Sequence, residues 1–157
     1  RDTTGDGKAD IIEYFGDYKG DGRYGTAMRI HNGYLYFSSQ LVVYRMKLTP
    51  GKLVPDSEIE VILTDDHAHG SHEHVAKPVA FDGAGNMYVP FGAPSNNCQE
   101  QNRIPYSPGI NPCPLLEDHG GIWRFDENKN NQTQKENRIF HNLMFVVIRL
   151  HSKKCTV

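Results

Sequence analysis

Short runs in which apolar and polar residues alternate recur along this chain, separated by clusters of Gly, Pro, Asn and Asp, while helical periodicity is scarce. That pattern predicts an all-β chain. From Val42 to Leu48 the apolar Val42, Tyr44, Met46 and Leu48 fall on one face and Arg45 and Lys47 on the other, the period of a half-buried strand. Ile59, Val61 and Leu63 against Glu58 and Glu60 repeat it. Met87, Val89 and Phe91 make a third such face, and Ile122 to Phe125 reads as a short, largely buried strand. Turn signals at Gly33, Gly51 and Gly85 separate the runs.

The pattern also echoes itself. GYLYFSS from Gly33 aligns with GNMYVPF from Gly85, an offset of 52 residues, and VYRMKL from Val43 resembles IWRFDE from Ile122. A period near 50 with several short strands per unit is how propeller blades look in sequence. The second unit carries an insertion between its two strands, at 93–119, rich in Pro, Asn and Gly. A propeller ring needs about four to eight blades, and at roughly 50 residues each this length holds about two to three. The expectation is a partial β-propeller, with residues 1–157 an N-terminal fragment of one propeller domain and 140–157 an atypical tail. Arg1 in the first position, with no signal-like region after it, also reads as a processed or truncated chain.

Composition narrows the function classes. At 157 residues the chain is long enough to bury a core as one domain. A net charge of −2 with no basic block argues against nucleic acid as a partner. The longest apolar run, Leu143 to Ile148, is far shorter than the roughly 20 residues that span a bilayer, so no membrane span is expected. Of the three cysteines, Cys98 and Cys113 share one polar loop and would pair in an oxidising compartment, leaving Cys155 over. A bridge closing about 15 residues would stabilise the fold by on the order of 3 kcal/mol. The loop it closes is either functional or a decorative insertion.

Three stretches carry candidate chemistry. DTTGDGKAD sets carboxylates at Asp2, Asp6 and Asp10, which reads either as a Ca²⁺ loop or as a plain acidic turn. Thr4 stands where an EF-hand loop has an acid, and Glu13 falls one place late. KGDGRYG, from Lys19 to Gly25, has glycines but neither strand before nor helix after it, so it reads as a tight turn. DDHAHGSHEHVAKPV, from Asp65 to Val79, packs His67, His69, His72 and His74 together, open to three readings: a zinc site, a general base or a solvated loop. His74 suits a base best, because it stands just before the strand-like run Lys77 to Phe81, whereas His67 and His69 are expected farther out in the loop.

Taken in order, GDGKAD, DGRYGTAMRIHNGYLYFSS, VYRMKLTPGKLVP, EIEVIL, HEHVAKPVAFDGAGNMYVPFG, Cys98-Gln99, the NPC ending at Cys113 and GIWRFDENK resemble the sorbosone-dehydrogenase-type, pyrroloquinoline-quinone (PQQ)-dependent sugar dehydrogenases, the family of soluble glucose and sorbosone dehydrogenases. The likeness runs over about residues 2 to 138. It implies a six-bladed β-propeller, secreted to the periplasm or outside the cell, that binds PQQ and calcium. It implies an oxidoreductase acting on a sugar or sugar aldehyde, with an external electron acceptor as its second partner. A histidine shortly before the LYV-type strand acts as base in that family, which by position is His74, and Glu73 takes the place of an acidic neighbour with an orienting role. At the family's Gly-Leu-Arg-Asn, whose arginine contacts the cofactor, this chain has Asn142-Leu143-Met144-Phe145. That departure leads to an expectation of little or no activity for the chain as it stands, and to two alternatives: a non-catalytic secreted propeller that binds a partner, or a Ca²⁺-dependent lactonase-like propeller.

Overall fold

The computed structural model describes residues 1–15, 24–67, 74–95, 97–135 and 137–140. Its regular secondary structure is almost wholly β-strand, with no α-helix among the described residues and a single 3₁₀ turn at Pro114–Leu116. The first four strands, β1 (Tyr24–His31), β2 (Tyr34–Ser39), β3 (Val42–Lys47) and β4 (Glu60–Thr64), form an antiparallel meander. A second meander is formed by β5 (Ala80–Phe81), β6 (Asn86–Phe91), β7 (Gly121–Asp126) and β9 (Arg138–Phe140). Between β7 and β9 the chain crosses to the first sheet and adds β8 (Gln132–Thr133) parallel to β4, so that sheet has five strands. Neither sheet closes on itself.

The two echoing segments occupy the same places in the two sheets. GYLYFSS supplies β2 and GNMYVPF supplies β6, while VYRMKL and IWRFDE supply β3 and β7. Even the register agrees: Tyr36 lies opposite Arg45 in the first sheet, and Tyr88 opposite Arg124 in the second. The 93–119 insertion is the connection between β6 and β7.

The core lies between the sheets. Tyr36, Val43, Ile62 and Leu63 of the first sheet meet Met87, Val89, Phe91, Trp123 and Phe125 of the second, together with Val79 just before β5, all nearly inaccessible to solvent. The rings of Phe91 and Trp123 meet edge-on at 4.8 Å between centroids. Burying side chains of this size contributes roughly 1.5–3 kcal/mol each, which is what holds two open sheets together.

Three strand readings need correction. β3 is covered on both faces, because Val43 enters the core while Val42, Tyr44 and Met46 are buried on the other side. In β4 the pairing runs Val43 with Leu63 but Tyr44 with Val61, so Ile62 is the extra residue of a bulge, and it is fully buried as well as Leu63. An extra residue in one strand breaks the period of two, which is why alternation misplaced this side chain. The run from Lys77 to Phe81 is a strand only at Ala80–Phe81. In β7 the alternation is sharper than expected, with Trp123 and Phe125 buried and Arg124 exposed. Of KGDGRYG, Lys19 to Arg23 lie outside the described residues, and Tyr24 and Gly25 begin β1.

Candidate functional site

The histidine-rich connection runs from the end of β4 in the first sheet to the start of β5 in the second, so its described ends are built against both. His67 does not lie far out in the loop: its side chain is wholly buried, and Nδ1 pairs with the equally buried carboxylate of Asp65. The other oxygen of that carboxylate meets Lys77 Nζ at 2.7 Å. Lys77 is 1% exposed, rare for a lysine, and it also donates to the Gln40 carbonyl and, at 3.4 Å, to the Val75 carbonyl. Three acceptors thus meet the three protons of one ammonium. The ammonium lies 5.2 Å from the Phe91 ring centroid.

His119, which sequence reasoning passed over, belongs to the same cluster. Its ring stands edge-on to that of His67 at 4.3 Å, and Nδ1 lies 3.0 Å from the Leu115 carbonyl, which fixes Nδ1 as the protonated nitrogen. The cue was its position, two residues before a strand whose partner, β6, ends beside the histidine-rich connection. A buried charge is costly unless paired and hydrogen-bonded, and here each group has a partner.

His74 is exposed. Its main chain is closely seated, since a methyl group added at Gly92 would run into the His74 carbonyl oxygen and Cβ. Among the described residues no hydrogen-bond partner is found for its ring. His69, His72 and Glu73 lie outside the described residues, as do Met144 and Cys155. The histidines therefore divide: His67 belongs to a buried ion-pair network, and His74 presents an accessible imidazole beside it.

The Asp2, Asp6 and Asp10 carboxylates are exposed and serve as acceptors within their own loop. Asp2 accepts main-chain N–H groups from Gly5 at 2.6 Å, Gly7 at 2.9 Å and Thr4 at 3.0 Å, and Asp10 accepts the amide and hydroxyl of Thr3. The Gly5 and Gly7 amides hold Asp2, and the Thr3 hydroxyl and amide hold Asp10, below the usual carboxylate range. Asp6 accepts from the Lys8 amide. Among the described residues no three His, Cys, Asp or Glu side chains converge as a metal site.

The insertion is stapled where its polar ends meet. Cys98 and Cys113 form a disulfide, the Ile110 amide donates to the Cys98 carbonyl at 2.9 Å, and Gln99 Nε2 donates to the Ser107 carbonyl at 3.0 Å.

At the opposite end of the sheets a second polar cluster joins them. His31 Nε2 lies 2.9 Å from Glu127 Oε2, and its ring stacks on Phe81 at 3.8 Å. Arg45 donates to Glu60 at 2.8 Å and to the Glu127 carbonyl at 2.9 Å, with its guanidinium 4.4 Å above the Tyr34 ring. Burial works to raise the Glu60 pKa, yet hydrogen bonds from Arg45 and Asn130 outweigh it and hold this carboxyl below the usual range.

No family model, no curated protein and no solved structure matches this chain. No helix among the described residues is long and apolar enough to cross a membrane.

Proposed function

We propose that the chain forms two neighbouring blades of a propeller of the sorbosone-dehydrogenase type, and that His74 is the general base in the oxidation of an aldose or sugar aldehyde. The observation that carries this reading is an accessible imidazole on a closely seated backbone, where two meanders with the same Tyr–Arg register meet. A base must come within about 3 Å of the proton it removes, so it cannot be sealed in the core as His67 is. A neutral imidazole accepts the proton of the anomeric hydroxyl while the C–H bond breaks and hydride leaves the sugar. If bound, PQQ would supply the two-electron acceptor for that hydride and calcium would act as a Lewis acid.

Among the described residues no ligand set is found for either group. Lys77, the cation closest in sequence to His74, is spent on Asp65 and two carbonyls, and the amino-terminal carboxylates are turned toward main-chain amides. No described residue is therefore assigned to the quinone or to the ion. The disulfide supports an oxidising setting, periplasmic or extracellular.

One observation favours a second reading, a non-catalytic binding module: the His74 ring has no orienting partner among the described residues, and a base without an orienting group is a poor one. Reconstitution separates the two. The protein is incubated with PQQ and Ca²⁺, desalted, and assayed for retained quinone absorbance and dye-linked aldose oxidation. The two blades by themselves are expected to give little or no turnover; set in a complete ring of blades they should retain the quinone and oxidise aldose, with His74→Ala abolishing turnover and leaving the absorbance in place. Full turnover by His74→Ala in that ring would remove His74 from the role, and a complete ring that retains no quinone would favour the binding module instead.

A further inference from the structure

We infer that Lys77 is a positioning residue for His74. The inference takes the role of His74 from the proposed function, but the placement itself is physical and separately measurable. Lys77 lies three residues after His74, and its ammonium holds the Val75 carbonyl, the one that follows His74, at 3.4 Å. The same ammonium is anchored outside its own segment, on the Gln40 carbonyl between β2 and β3 and on Asp65 just after β4. One cation therefore ties the backbone beside His74 to the first sheet. From the other side Gly92, just after β6, lets the His74 main chain approach so closely that no side chain fits between them. His74 is thus held between the two sheets, by an ion on one side and by contact on the other.

The arrangement is more than a stabilising ion pair, because a pair of this kind can often be replaced by apolar side chains without loss of stability. Such a replacement, Lys77→Met with Asp65→Leu, keeps the junction filled and frees the Val75 carbonyl, but it also takes the acceptor from His67 Nδ1, so the fold of the variant is checked before its imidazole is read. The two functions of the network, holding the fold and aiming the imidazole, come apart in that variant.

The test reads the imidazole directly. Histidine is labelled with ¹³C at the ring Cε1, and the His74 signal is assigned by its loss in His74→Gln. In the wild type we expect one narrow signal away from the free-histidine position. In the Lys77→Met/Asp65→Leu variant, folded by Trp123 fluorescence, we expect it to broaden, split or move to the free-histidine position, while the His31 signal at the far end stays in place. A folded variant whose His74 signal is unchanged overturns the inference. So does a wild-type protein whose His74 signal already sits at the free position, which needs no variant to fold. Where the quinone-loaded protein oxidises sugar, the double variant lowers kcat more than it raises KM. If a complete ring of blades containing this chain shows no turnover but the His74 signal responds as described, positioning stands and the dehydrogenase reading falls. If turnover depends on His74 but the signal does not respond, the reverse holds.

Discussion

The two ends of the junction between the sheets use similar chemistry in different solvent. At one end Asp65, His67 and Lys77 form a cluster whose side chains are at most 2% exposed. At the other, His31 with Glu127 and Arg45 with Glu60 make the same kinds of pair, with the His31 and Glu60 side chains 19% and 32% exposed. In the first cluster every charge depends on its partner, because water cannot replace it. In the second, water reaches His31 and Glu60 and competes for them, although Glu127 and Arg45 are largely buried, so the loss of a single pair matters less than at the sealed end. The sealed end fixes geometry, and it is next to the sealed end that the accessible His74 stands.

The largest expected effect breaks the sealed end. Asp65→Ala leaves Lys77 and His67 buried without their shared carboxylate, and removing one partner of such a pair costs about 3–5 kcal/mol. For a domain of this size that is a fall in Tm of roughly 10 °C by calorimetry. A fall of only one or two degrees would mean that water reaches the cluster and that the two ends are alike. Glu127→Gln at the far end sharpens the contrast, with a loss of about 1 kcal/mol in urea unfolding, since this pair is only partly withdrawn from solvent. If the two variants cost the same, burial is not what separates the ends.

The smallest effect lies in a fully exposed turn. Asp82 accepts hydrogen bonds from the Asn86 side chain at 2.7 Å, the Ala84 amide at 2.8 Å and the Tyr88 hydroxyl at 3.1 Å. The Asn86 side chain first, then the Ala84 amide, bring its pKa down from 3.8 to about 2. A carboxyl whose pKa is lower folded than unfolded stabilises the fold above the unfolded value, and that contribution fades as pH falls through the folded one. The stability difference between wild type and Asp82→Ala should therefore be constant above about pH 5 and shrink between about pH 4 and pH 2. A difference that stays constant down to pH 2 would show that the carboxylate charge plays no part in the turn.

Much of the strand content was legible because alternation is a local property. Met87, Val89 and Phe91 face the core as their spacing requires, and the echo between GYLYFSS and GNMYVPF marks equivalent strands in the two sheets. Ile62 was not legible, since a bulge depends on how the neighbouring strand pairs. Nor was the division of labour among the histidines. Spacing made His67 and His74 look like members of one loop, but only packing against Phe91 and His119 buries the first. Lys77 stood out only as the first residue of a strand-like run, because the Gln40 carbonyl and the Asp65 carboxylate that meet it come from other turns.

By itself the sequence determined the all-β character, the repeated pair of strands and the set of residues able to do chemistry, because residue type and period act over a few neighbours along the chain. Tertiary structure alone decided which histidine is sealed and which is accessible, and which cation stands beside the accessible one. Burial and pairing depend on groups brought together by the packing of two sheets, and no local pattern encodes that distance.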